Sequence, residues 1–308
     1  MWIPFEGWAS LVAPATALRL EGPDIFGSIA PRPLERSPRT RESTWVLHPL
    51  DAAAATFSLS RFIENVHVLV PAAGRARYER LPDGRTTLVF RVIEEGRKGD
   101  VCVVGPRMRA LFKNTTGIAR AIILQFKPGW STPLLGVAAN ALTDQIVPLE
   151  DIWGRPGSDL CLELLATRSL PEVVDLVSRA IALRTHHSFE PSSARLARRA
   201  VHLFEGGEAR VESVAERLGV TARHFRRAFT ESVGIGPKDF ARTVRLQRAV
   251  RMAATSKDWA RIAADAGYYD QAHLISDFRE LVGLTPGTFL KRAGDHRRVG
   301  FRPRTRRA

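Results

Sequence analysis

Cysteine is scarce in this chain: Cys102 and Cys161 are the only two in 308 residues, and they form no CxxC pair. That excludes a disulfide framework and a cysteine-based zinc cluster, and it fits a reducing, cytoplasmic setting. No apolar run approaches the roughly 20 residues that cross a bilayer. The opening MWIPFEGW carries Glu6 and no basic segment, so no secretory signal is expected. Histidines never fall in an HxH pair; His48 and His67 each stand alone, and His186 and His187 are adjacent, which on an extended segment points them apart. HExxH, GxSxG and GxxxxGK[ST] are all missing. Cys102 sits in an apolar VCVVG run that reads as a buried strand thiol. No catalytic residue, metal site or cofactor is therefore expected.

Acidic residues are also short, and unevenly so. The net charge is +14; from Glu190 onward 24 Lys/Arg stand against 13 Asp/Glu, a balance of +11, which leaves +3 for everything before. The basic excess gathers in the C-terminal third, where a phosphate-bearing partner would be met.

That third contains a pattern written twice. VESVAERLGVTARHFRRAFTESVGIGPKDF, Val211 to Phe240, is echoed by WARIAADAGYYDQAHLISDFRELVGLTPGTF, Trp259 to Phe289. Ala215 and Gly219 recur 48 residues later as Ala263 and Gly267, whereas Phe225, Phe229, Gly234, Pro237 and Phe240 recur 49 later as Leu274, Phe278, Gly283, Pro286 and Phe289. One turn thus holds one extra residue. Each copy reads as helix, glycine turn, helix. Val214, Ala215 and Leu218 share a face of a first helix, about Val211 to Leu218. Gly219 supplies the turn, Thr221 the N-cap, and Arg223 to Ser232 a second helix. On that second helix Phe225, Ala228 and Phe229 face inward, leaving Arg223, Arg226 and Arg227 outside. In the second copy Ile262, Ala263, Ala266, Leu274 and Phe278 take the inner role and Asp270 the cap, with Gln271, His273 and Ser276 outside.

These residues, IAADAGYYDQAHLISDFRELVGLTPGTF and AERLGVTARHFRRAFTESVGIGPKDF above all, resemble the C-terminal DNA-binding domain of the AraC/XylS family of bacterial transcription regulators. The resemblance implies two helix-turn-helix units entering successive major grooves of double-stranded promoter DNA, joined by a helix, here Lys238 to Ala254, whose length of about 25 Å suits reading sites about one DNA turn apart. By position in the family motif, Arg223, Arg226 and Arg227 would read bases from the first unit and Gln271 and His273 from the second. Thr221, Ser276, Arg242 and Arg245 would meet the backbone. Ser276 stands where many members carry a long basic or amide side chain, so a contact to phosphate or to water is as expected there as base reading. Arg242, Arg245, Arg248 and Arg251 could equally be solvated. The resemblance further implies activation through contact with RNA polymerase.

Before the repeats the texture differs. Residues 1–44, with Pro4, Pro14, Pro23, Pro31, Pro33 and Pro38, read as a disordered leader. From 45 to 185 a β-rich domain is expected. Phe62–Val70 is a strand, Asp83-Gly84 a tight turn before alternating Thr87, Val89 and Arg91, and Val101–Val104 and Ala119–Phe126 two further strands. Helical faces follow at Leu134, Leu135, Ala138 and Leu142, then at Val173, Leu176, Val177, Ala180 and Ile181. LPDGRTTLVFR, VVGPR and FKPGWSTPLLGVAANALTDQIVPLEDIWG resemble an uncharacterised cupin-like domain that accompanies such repeats, which implies sensing of a small-molecule effector or homodimer formation. The expected fold class is α+β: a small N-terminal β-barrel or sandwich with helices, a linker at 186–191, an all-α double helix-turn-helix domain over 192–292, and a basic disordered tail over 293–308. The function that follows is sequence-specific transcription regulation. A non-specific architectural DNA-binding protein is the rival from another class, and an enzyme or metal-binding cupin fused to a DNA-binding domain is a third.

Overall fold

A strand whose two faces are both covered needs no alternation, and three strands of the N-terminal half are of this kind. In the computed structural model, which describes residues 45–46, 60–69, 75–93, 98–167, 169–187 and 190–295, β1 (Trp45–Val46), β2 (Ile63–Leu69), β4 (Thr87–Ile93), β5 (Lys98–Val104), β7 (Ile118–Phe126) and β8 (Ile146–Pro148) form one antiparallel sheet. Its order is β1-β2-β7-β4-β5-β8. β3 (Arg75–Arg80) and β6 (Leu111–Thr116) pair separately. Leu88, Phe90, Val103, Ile122 and Leu124 pack on one face against helices. Val89, Cys102, Val104 and Ile123 pack on the other, with Tyr78 of the small sheet against them. Thr87 to Phe90 is buried without a break, so the alternation expected at Thr87, Val89 and Arg91 is absent: the strand lies between two layers.

The Asp83-Gly84 turn forms, with Gly84 at φ 60°, but β3 leaves it to pair with β6, from Arg75 opposite Thr116 to Arg80 opposite Leu111. The turn carries a buried ion cluster instead. Asp83 accepts from Arg80 Nη2 at 2.9 Å, from the Arg85 amide at 3.1 Å and from Gln125 Nε2 at 2.6 Å. Arg85 in turn donates to Glu64 at 3.0 Å.

Helices cover the sheet. α1 (Ser131–Leu135) stops at Gly136, which takes φ 79°, and Ala139–Leu142 is a separate 3-10 turn. The face drawn through Leu134, Leu135, Ala138 and Leu142 is therefore not one helix, although Leu134, Leu135 and Leu142 are all buried. α2 (Leu149–Trp153), α3 (Arg155–Ala166) and α4 (Leu170–His187) complete the layer, with Val173, Val177 and Ile181 buried and Leu176 and Ala180 half-buried against the same core. α4 runs through His186 and His187, where the linker was expected to begin.

The C-terminal half is all helix: α5 (Ser192–Glu205), α6 (Val211–Arg217), α7 (Ala222–Val233), α8 (Pro237–Ala253), α9 (Trp259–Ala266), α10 (Gln271–Val282) and α11 (Pro286–Asp295). The mixed α+β class holds. Phe204, Phe225, Phe229 and Phe240 pack as a buried quartet, with ring centroids 5.4–6.3 Å apart; each such pair adds about 0.5–1.5 kcal/mol beyond its buried area.

The described residues of both halves belong to one compact unit. The connection after β5 touches the helical half at two places. A Cβ on Gly234, the left-handed cap of α7 at φ 93°, would stand 2.5 Å from Pro106. The Ala110 amide donates to the Leu281 carbonyl of α10 at 2.8 Å. Met108 joins the core around Phe225, while Leu81, Ala110 and Phe112 join that around Phe278. Gln247 of α8 donates to the Pro82 carbonyl at 2.9 Å, and Arg85 lies 3.6 Å from Glu205.

Candidate nucleic-acid interface

Each repeat closes into the same device. In the first, the α6 face Val214–Ala215 is buried and Leu218 half-buried. Gly219 turns at φ 70°, and the Thr221 hydroxyl caps α7 by accepting from the His224 amide at 3.2 Å. In the second, Ile262, Ala263 and Ala266 are buried, Gly267 turns at φ 88°, and the Asp270 carboxylate caps α10 by accepting from the His273 amide at 2.7 Å. Capping satisfies one of the orphan amides of each helix start, which fixes where the outer face begins. α8 spans 17 residues between the units.

On α7, Phe225, Ala228 and Phe229 are buried, and Arg223, Arg226 and Arg227 are all exposed. Arg226 reaches back to Glu212 of α6 at 2.6 Å; Arg223 and Arg227 make no ion pair among the described residues. On α10, Leu274 and Phe278 are buried while Gln271, His273 and Ser276 are exposed. The His273 ring stands edge-on to buried Tyr268, centroids 5.3 Å apart.

Arg242 and Arg245 sit differently from Arg223 and Arg227. Arg242 donates to Asp277 and to Glu280, both on α10, each at 2.7 Å. Those carboxylates push its pKa up, and Arg242 in turn holds Glu280 below the usual carboxylate range. Arg245 lies over the Tyr268 ring, 5.4 Å from its centroid, and 4.0 Å from Asp277. Burial pushes the Tyr268 phenol up. These two arginines thus tie the joining helix to the second outer helix. The signal was available: Asp277 interrupts the inward row Leu274, Phe278, Leu281, and a carboxylate there calls for a cation on the helix it faces.

Elsewhere the chemistry is quiet. Burial pushes the Cys102 thiol up to about 12 and the Cys161 thiol to about 11, both far from a nucleophile's range. His67 is pushed down by burial. Among the described residues no three His, Cys, Asp or Glu gather as a metal site, and no helix is long and apolar enough to cross a membrane. His48, residues 1–44 and the tail from His296 lie outside the described residues.

Known proteins bear on the two halves separately. Residues 214–292 match a family described as a helix-turn-helix domain, and residues 53–148 match a domain of unknown function, DUF6597. The HTH-type transcriptional regulator Rv1931c of Mycobacterium tuberculosis is 30% identical over 87 residues, which is 28% of this chain and 34% of that protein. The matched stretch thus spans about a third of that relative. Among solved structures, the C-terminal domain of AraT, a response regulator from Geobacillus stearothermophilus, aligns at 22% identity and TM-score 0.31, over 33% of this chain and 88% of that one. ToxT from Vibrio cholerae O395 aligns at 10% identity and TM-score 0.40, over 75% and 98%. The C-terminal region of this chain is thus a helix-turn-helix domain, similar to part of a transcriptional regulator, and a domain of unknown function stands before it.

Proposed function

We propose that the chain reads a specific promoter sequence in double-stranded DNA, with α7 and α10 in two successive major grooves, and regulates transcription from it. What carries the reading is the repetition of one device on one spacer: two capped helices, each buried on its inner face and polar on its outer face, joined by a single 17-residue helix. Two units so joined read two grooves about one turn apart. Arg223 and Arg227 are the candidates for guanine, Gln271 for adenine, and His273 for a further base edge. Arg226 joins them once it leaves Glu212, a pair of exposed side chains worth at most about 1 kcal/mol. Thr221 and Ser276 remain backbone candidates. Arg242 and Arg245 support α10 and reach phosphate only by giving up Asp277. Activation through RNA polymerase, an effector held by the N-terminal half and a homodimer follow from the family resemblance alone and belong to the same proposal.

Selection of bound duplexes from a random pool with the full chain, followed by footprinting of the selected site, tests it. Two protected tracts about one helical turn apart are expected. Recovery of no preferred sequence would favour the architectural reading, in which the basic tail supplies affinity without regard to sequence.

A further inference from the structure

The two turns differ by one residue, and the structure assigns the extra one to Tyr269. Val220 and Tyr268 are equivalent: each follows the turn glycine, and each amide donates to the carbonyl of the equivalent alanine, Val220 to Ala215 at 3.1 Å and Tyr268 to Ala263 at 2.9 Å. In the first unit the capping Thr221 comes next. In the second, Tyr269 intervenes before the capping Asp270.

The inserted residue is the most exposed large apolar side chain among the described residues, at 92%. Its neighbour Tyr268 already fills the core position, with the His273 ring and the Arg245 guanidinium against it. Nothing in the unit's own packing thus calls for a second tyrosine. An exposed aromatic ring costs free energy in water, and this one opens a wholly exposed run, Tyr269 to His273.

The surroundings narrow what it meets. Between Gly267 and Arg279 there is no lysine or arginine, the neighbouring Arg245 guanidinium is engaged by the Tyr268 ring and Asp277, and the Asp270 carboxylate occupies the start of α10. This end of the helix is poorly suited to a phosphate and well suited to neutral base edges. The residue two positions on is Gln271, whose amide pairs with adenine N6 and N7. A major-groove surface that takes both an amide and an apolar ring is an A·T pair, which offers those adenine atoms and the thymine 5-methyl group.

We propose that Tyr269 is a specificity-determining residue of the second unit, reading a thymine methyl group beside the adenine taken by Gln271, so that the half-site under α10 is A·T-rich. This rests on the DNA-reading function proposed above. The first unit would then read bases through the cationic side chains of Arg223 and Arg227, and the second through neutral ones.

The test uses the full chain and its selected duplex, with each thymine replaced in turn by uracil, which removes only the methyl group. For the wild type, one replacement under the second unit should weaken binding roughly four-fold, the worth of one buried methyl. Tyr269→Ala should bind the unmodified duplex more weakly and be indifferent to that same replacement. Tyr269→Phe should keep the penalty. The slope of log affinity against log salt should be the same for all three proteins, since no phosphate charge is neutralised. A uracil penalty of equal size in wild type and Tyr269→Ala, no thymine whose methyl matters, or an equal loss on scrambled duplex would each overturn the assignment. Failure to select any preferred duplex would instead overturn the reading of specific recognition, so the two failures are distinguishable.

Discussion

Two arginines three residues apart on one helix, Arg223 and Arg226, illustrate how little the residue type decides. Arg226 is held by Glu212, whereas Arg223 and Arg227 project from the outer face of α7 without such a partner. Arg227→Ala should therefore cost roughly 1–3 kcal/mol on the selected duplex and leave scrambled duplex nearly untouched. Titration of both duplexes at several salt concentrations checks it, and equal losses would make Arg227 a phosphate contact. Arg242 belongs to the opposite kind. Its removal leaves Asp277 buried, with its side chain 8% exposed, and without its hydrogen-bonded cation; Arg242→Ala should lower stability by about 3 kcal/mol. Glu280 adds a pH signature. Arg242 depresses its pKa in the folded chain, so its contribution is fully present above the ordinary glutamate value and is lost as pH falls through the depressed one. Urea midpoints measured from pH 7 down to 3 should fall less steeply for Arg242→Ala than for the wild type. Parallel profiles would remove the pair from the stability account.

At the level of elements, the helix starts make the sharpest prediction. Asp270 and Thr221 each accept one amide at the start of an outer helix. Either residue changed to alanine should cost about 1 kcal/mol and weaken DNA binding through fraying of the first turn. Thermal melts and duplex titrations check both effects, and a melt unchanged for Asp270→Ala would show that Tyr268 and Gly267 fix the turn unaided. These helices were legible because their information is local: a buried row at 3.6-residue spacing, a glycine at positive φ and a capping oxygen lie within a dozen residues. β3 and β6 were not. RARYER and LFKNTT carry little apolar pattern, and each strand's partner lies some three dozen residues away. α1 was read as longer than it is because its apolar spacing continues past Gly136, where the backbone turns left-handed. Of the candidate interface, the outer faces of α7 and α10 could be read from periodicity. The protrusion of Tyr269 could not, because it depends on how the turn places its extra residue; of the Arg242 pairing only Asp277 was legible, a buried carboxylate whose partner is set by which helix faces which.

For the whole molecule, the consequential feature is that the connection after β5 meets both helix-turn-helix units, Pro106 at the cap of α7 and Ala110 at the end of α10. A segment in contact with both units can fix the angle between their outer helices, and it couples that angle to the β-sheet it grows from. The sequence pattern alone suggests that residues 192–292 form a self-sufficient DNA-binding fragment. The packing argues for a qualified version of this. The Phe204–Phe225–Phe229–Phe240 quartet and the Phe278–Phe289 contact lie wholly within the fragment, so it should fold as a helical body. It should nevertheless melt lower than the full chain, by at least several degrees, because Leu81, Met108, Ala110 and Phe112 no longer cover two of its cores. Binding should follow the same logic. Each unit keeps its own outer face, so on the proposed function the fragment should select the same half-site sequences. Freed from the β5 connection, it should tolerate changes in the spacing between half-sites that the full chain rejects. Circular dichroism melts and titration of duplexes with one base pair inserted or deleted between the half-sites decide this. A fragment with the melting temperature and spacing preference of the full chain would mean that the N-terminal half rests on the DNA-binding half without constraining it, and that any signal sensed there must reach the DNA by another route.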